Sequence, residues 1–192
     1  MPKESTEEAT TIHEIYVSFA HFEKRLVCHV DGDERRRFLS VFEGEREDTV
    51  GFYGFDLAEG LECYVSFTHV AKINVLDYLA GLHFKKPAKR TEKEETKRFE
   101  EREESDDPVL LRIWTTHDHG IELFQDVDYQ EWVAIRFTLE ERDQHFIGFD
   151  DEDGERVILS LAHIAAIEVF DTHYLTDEEL DRAFNGDREE VA

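Results

Sequence analysis

The sequence predicts a mainly β protein: a tandem duplication of a small, strongly bent, five-stranded β-barrel-like unit, with a charged linker between the copies and a short C-terminal helix. Three features carry that prediction. The chain matches itself, residues 51–77 (GFYGFDLAEGLECYVSFTHVAKINVLD) against residues 145–171 (HFIGFDDEDGERVILSLAHIAAIEVFD), at a constant spacing of 94, with 11 of 27 positions identical and seven of the other 16 apolar in both. Each copy alternates apolar and polar residues with period two between turns rich in Gly and Asp, which is how half-buried strands read. Between the copies the composition shifts abruptly to charge. Two copies are too few for a solenoid, leaving tandem domains or one pseudo-symmetric body.

Taken in order, residues 1–11 are polar and acidic and are expected to be disordered. The first copy spans 12–84, with strands expected at 12–19, 38–42, 52–56, 62–67 and 72–76. The second spans 108–175, with strands expected at 110–116, 132–137, 146–150, 156–161 and 166–170. Upstream of the strong match the order persists: 38–41 faces 132–135, and Ile15-Tyr16 faces Ile113-Trp114. Gly60 and Gly154 mark the hairpin turn after the third strand, because glycine accepts positive φ without a steric penalty. A tight corner carrying His69 or His163 precedes the last strand. The linker, 85–107, holds eight basic and nine acidic residues and a single aromatic, Phe99. With no apolar stripe to anchor it, it is expected to be flexible. At 176–186 the pattern Thr176-Asp177-Glu178-Glu179 followed by Leu180, Ala183 and Phe184 predicts a capped helix stopped at Asn185-Gly186.

The hairpin, the corner and the short final strand resemble small SH3-like or Sm-like barrels. The resemblance is one of fold, and it implies no activity.

Composition excludes several functions. With 47 Asp plus Glu against 22 Lys plus Arg the net charge is −25, so a phosphate-tracking surface has no basis and direct nucleic-acid binding is not expected. Anionic membranes are disfavoured for the same reason, and no apolar run is long enough to span a bilayer. The 40% of hydrophobic residues, 15 of them Phe, are enough for a core. Cys28 and Cys63 are too few for a Cys-rich zinc site, and with no apolar leader at the start they are expected to be reduced thiols in the cytoplasm.

The sharpest candidate chemistry is His117-Asp118-His119. Two imidazoles at i and i+2 on a strand share a face and could begin a metal site for a hydrolase, with Asp126, Asp128 or His145 completing it; a polar turn before Gly120 is the bland alternative. Ser66, His69 and Asp77 recur as Ser160, His163 and Asp171, but without a nucleophile elbow, so the histidines are expected to bond the corner's backbone and the serines to face outward. The run Asp150, Asp151, Glu152, Asp153, Gly154 reads as a hairpin turn, lacking the span of a calcium loop. Arg35, Arg36 and Arg37, and the basic start of the linker at Lys85, Lys86, Lys89 and Arg90, are expected to pair within the acidic molecule. No phosphate-cradling glycine pattern occurs. No cofactor is expected.

The expected function is therefore that of a non-enzymatic, acidic interaction protein whose partner is a protein with a basic surface, such as one that binds nucleic acid. In its sharp form this is nucleic-acid mimicry; in its bland form the acidity is a solubility or salt adaptation. A structural subunit of a viral or compartment assembly, with oligomers built edge to edge, is one alternative, and a His-dependent metallohydrolase is the other.

Overall fold

The structure, a computed structural model, describes residues 12–42, 51–57, 61–76, 97, 101–102, 105–116, 120–140, 145–150, 156–176, 178 and 180. Alternation makes the first two strands: Ile15, Val17 and Phe19 of β1 (Ile12–Phe19) and Leu26, Cys28 and Val30 of β2 (Arg25–Asp31) are buried, and the two strands pair antiparallel with Ile15 opposite Cys28. Helix α1 (Gly32–Phe42) follows at once. The hairpin of β3 (Phe52–Asp56) and β4 (Glu62–Ser66) comes next, and β5 (Val70–Leu76) returns to the free side of β1. The same order of elements then occurs again: β6 (Val109–Thr115), β7 (Ile121–Val127), α2 (Tyr129–Glu140), β8 (Phe146–Asp150), β9 (Arg156–Ser160), a 3₁₀ turn (Leu161–His163) and β10 (Ile164–Asp171).

The sheets do not follow the segments. One has the order β2-β1-β5, a second β3-β4-β10-β6-β7 and a third β8-β9; none closes into a barrel among the described residues. The five-stranded sheet thus mixes strands from 12–84 and 108–175, joined where β4 pairs antiparallel with β10. Its one face packs Cys63, Val65, Trp114, Ala166 and Phe170 against the three-stranded sheet and α1. Its other face packs Tyr64, Leu111, Ile113, Ile167 and Val169 against α2 and the β8–β9 hairpin. Trp114 also meets the turn after β1, with Phe19 and Phe22 rings 5.9 and 5.3 Å away.

Two expected strands are helices. Residues 38–42 and 132–137 lie in α1 and α2, because Asp31 and Asp128 act as N-caps. The Asp31 carboxylate accepts from the N–H of Asp33 and Glu34 at 2.9 and 2.8 Å, and Asp128 accepts from Glu131 N–H at 2.7 Å. Their buried residues then fall at helical spacing: Phe38 and Val41, and Trp132, Ile135 and Leu139. The fifth strand of each segment is instead β2 or β7. The strand pairings also correct an alignment. They match Val17-Ser18, not Ile15-Tyr16, to Ile113-Trp114, a slip of two residues that leaves the faces unchanged.

The end of the linker is docked rather than free. Arg102, 1% exposed, donates from Nε to Asp171 at 2.8 Å and from Nη2 to the Asp107 carbonyl at 2.7 Å, and it lies over the Tyr129 ring. Of the expected C-terminal helix, Leu180 N–H donates to the Thr176 carbonyl at 2.9 Å and its side chain packs on the core; Phe184 lies outside the described residues.

A charged pair is buried between the two larger sheets. Arg112 on β6 faces Glu168 on β10, Nη1 to Oε2 at 3.2 Å, and the same oxygen accepts from the Trp114 indole N–H at 2.8 Å. Breaking such a pair leaves a buried charge without its counterion. Glu168→Ala is expected to lower unfolding free energy in urea by about 3–5 kcal/mol. Adding Arg112→Met and exchanging Ala for Leu at 168 recovers most of that loss, leaving about 1 kcal/mol for the indole N–H without its acceptor.

Candidate functional site

The β3–β4 hairpin presents its outward face to α2, and a cleft of about 280 Å³ lies between them. Its floor depends on a glycine. Tyr64 stands opposite Gly54, with its ring so close that a Cβ on Gly54 would meet Cε1 at 2.7 Å, and it is edge-on to Trp132 at 5.7 Å. Any larger residue at 54 would push the ring off the strand. Phe52, Tyr64 and Leu139 give the cleft an apolar wall.

Polar groups ring it. Asp56 and Glu62 are direct cross-strand neighbours, so two carboxylates face each other, an arrangement that like charge disfavours. Arg136 answers Glu62 at 3.6 Å but is shared with Glu140 at 3.0 Å. Arg37 donates to the Gly54 carbonyl at 3.4 Å and pairs with Glu34 at 3.3 Å. The lining therefore holds three carboxylates, Asp56, Glu62 and Glu140, against the two guanidiniums. Burial pushes the Glu62 carboxyl up from its ordinary range, and Asp56 adds to the rise; the distant, shared Arg136 offsets only part of it. Burial likewise raises Glu34 and the Tyr64 phenol. Such a cleft suits a cation with an apolar stem.

The residues singled out in the sequence lie elsewhere. His117, His119, Gly60, Gly154 and Asp77 fall outside the described residues. Among the described residues no group of three or more His, Cys, Asp or Glu side chains could hold a metal ion. At the corners, the carbonyls of His69 and His163 accept from Ala20 and Thr116 N–H at 3.1 and 2.8 Å, so each corner is tied to the end of the first strand of its segment. The His69 ring is 2.9 Å from the Ala162 carbonyl of the other corner, whereas His163 is exposed. Ser66 is buried rather than outward, because β4 is covered on both faces. Asp171 holds Arg102 rather than a serine–histidine pair. Arg37 does pair within the molecule.

Reasoning from sequence missed the cleft because α2, which forms its wall, was expected to be a strand. It also missed that Cys28 and Cys63 meet. Both are buried and free in one core cluster between the two sheets, and burial, with the neighbouring Cys28 adding to it, pushes the Cys63 thiol up.

Fold and cleft together define a mainly β protein with mixed-segment sheets and a polar recess suited to binding. Comparison with known proteins yields no matching family model, no matching curated protein and no matching solved structure.

Glu34, Glu62 and Asp171 all bind protons more readily folded than unfolded, with burial as the leading cause in each. Folding stability from these groups therefore rises as pH falls from neutrality toward their folded values, and is lost as pH rises through them. In half-molar salt, which screens the general repulsion, the melting temperature is expected to rise between about pH 7 and about pH 5. Glu62→Gln is expected to raise it at neutral pH and flatten the slope.

Proposed function

We propose that this chain is a non-enzymatic interaction protein that takes a basic side chain of a protein partner into the cleft over β3–β4. The observation that carries the reading is the facing pair Asp56 and Glu62 beside an apolar wall. A guanidinium or ammonium entering there would separate the two carboxylates while its stem lies on Phe52, Tyr64 and Leu139. The net charge of −25 supports the same partner chemistry by steering a basic surface toward the protein. A nucleic-acid-binding protein is the natural class of such a partner. Cytoplasmic residence belongs to this reading; no helix among the described residues is long and apolar enough to cross a membrane.

We also read 12–84 and 108–175 as copies of one SH3-like or Sm-like unit, each opened by a helix. Support comes from the repeated order of elements, the paired caps Asp31 and Asp128, and the matching corner hydrogen bonds at His69 and His163.

A peptide alternating arginine and valine serves as the probe. Asp56→Asn with Glu62→Gln is expected to weaken its binding, measured by calorimetry, by about tenfold to a hundredfold, the worth of one or two charged hydrogen bonds. Binding by the native chain should fall steeply with salt. Equal affinity in the double variant, or binding unchanged in molar salt, would defeat the reading.

A further inference from the structure

We propose that copies of this chain assemble head to tail, with β9 of one copy adding as a neighbour to β5 of the next. The contact that would join them already exists once inside each chain. There β4 pairs with β10 in the register Val65 to Ala166, Tyr64 to Ile167, Cys63 to Glu168 and Glu62 to Val169. In the repeat, β9 stands where β4 stands and β5 stands where β10 stands. Carried over by the spacing of 94, the same register becomes Leu159 to Lys72, Ile158 to Ile73, Val157 to Asn74 and Arg156 to Val75.

Among the described residues β5 has only β1 as a neighbour and β9 only β8. The two do not pair with each other while β4 and β10 do, so the step from first segment to second is not a half-turn that closes on itself. A heterologous contact of that kind repeats into the next molecule, giving a ring or a filament.

The exposure of corresponding residues agrees. Tyr64 is 4% exposed beneath α2, whereas its counterpart Ile158 is 66% exposed and Phe146, on the same face of the β8–β9 hairpin, is 58% exposed. Ile167 is fully buried and its counterpart Ile73 only partly so. His69 reaches the Ala162 carbonyl, whereas the counterparts His163 and Thr68 are both exposed and would meet in the same way between chains.

Charge agrees too. Six strands have a sheet edge among the described residues: β2, β3, β5, β7, β8 and β9. Only β5 and β9 carry no Asp or Glu, in a molecule of net charge −25. Their basic residues, Lys72 and Arg156, fall opposite Leu159 and Val75 in the transferred register and never opposite each other. The acidic remainder repels other copies, so association should strengthen with salt, opposite to capture of a basic partner in the cleft.

The test is sedimentation velocity of the full chain at tens of micromolar, in low and in half-molar salt. Species at multiples of 22.6 kDa, growing with concentration and with salt, are the expected result. Ile158→Lys, at an exposed position that leaves the melting curve unchanged, should weaken association by about tenfold or more. The pair I73C and I158C should form a disulfide between chains under mild oxidation. A native chain that stays monomeric throughout, an I158K variant that assembles as the native chain does, or a disulfide confined to single chains would overturn the proposal.

Discussion

Strand β10 is hydrogen-bonded on both sides, to β6 within its own segment and to β4 from the other, and every residue from Ile164 to Phe170 is buried. Its position makes two stretches of chain, separated by a charged linker, share one sheet. The buried Arg112–Glu168 pair sits on this strand and its neighbour, facing the three-stranded sheet. An apolar pair there would fill the space as well. A charged one tolerates only the register in which the carboxylate also receives the Trp114 indole. The pairing also sets the cleft, since it brings α2, which follows β7, over the hairpin that precedes β5.

The two segments solve one local problem with different residues. Strands β3 and β8 each end a sheet, leaving the carbonyls of Gly54 and Gly148 facing outward. In the first segment Arg37 of α1 covers that carbonyl while bound to Glu34. In the second Arg156 of β9 does so while bound to Glu131 and Asp150. Glu34 and Glu131 each stand three residues after the capping aspartate. The anchoring acid is thus kept in place while the guanidinium changes its origin, and both edges are blunted against strand addition.

Much of the backbone was legible in sequence and much of the assembly was not. Six of the ten strands, β3 to β5 and β8 to β10, show as the stretch that matches itself, because a two-residue period in a half-buried sheet leaves a direct trace. The helices were written in the sequence as well: Asp31 with Glu34, and Asp128 with Glu131, each have the spacing of a capping box, but short apolar runs such as FLSVF suit either period. β2 shows Leu26, Cys28 and Val30 in plain alternation. The docking of Arg102 and the meeting of Cys28 with Cys63 need tertiary packing that no local pattern encodes, while the cleft needs the β4–β10 contact, which brings α2 over the β3–β4 hairpin. Nothing local encodes that contact, since the same residues would pair equally well within or between molecules.

That last ambiguity bears on the charge. Of the net −25, the linker 85–107 contributes only −1, leaving −24 on the two segments and the ends. A molecule with acid-free strands at two edges that are open among the described residues, and apolar side chains on one hairpin face, would associate indiscriminately if it were neutral. Distributed carboxylates oppose every approach by a long-range, unspecific repulsion, and the hydrogen bonds of a strand pair are short-range and need correct register. The repulsion therefore selects for the one contact that yields a full ladder. In the proposed assembly, acidity and open edges act together: charge suppresses the many poor encounters and leaves strand pairing to favour the few good ones.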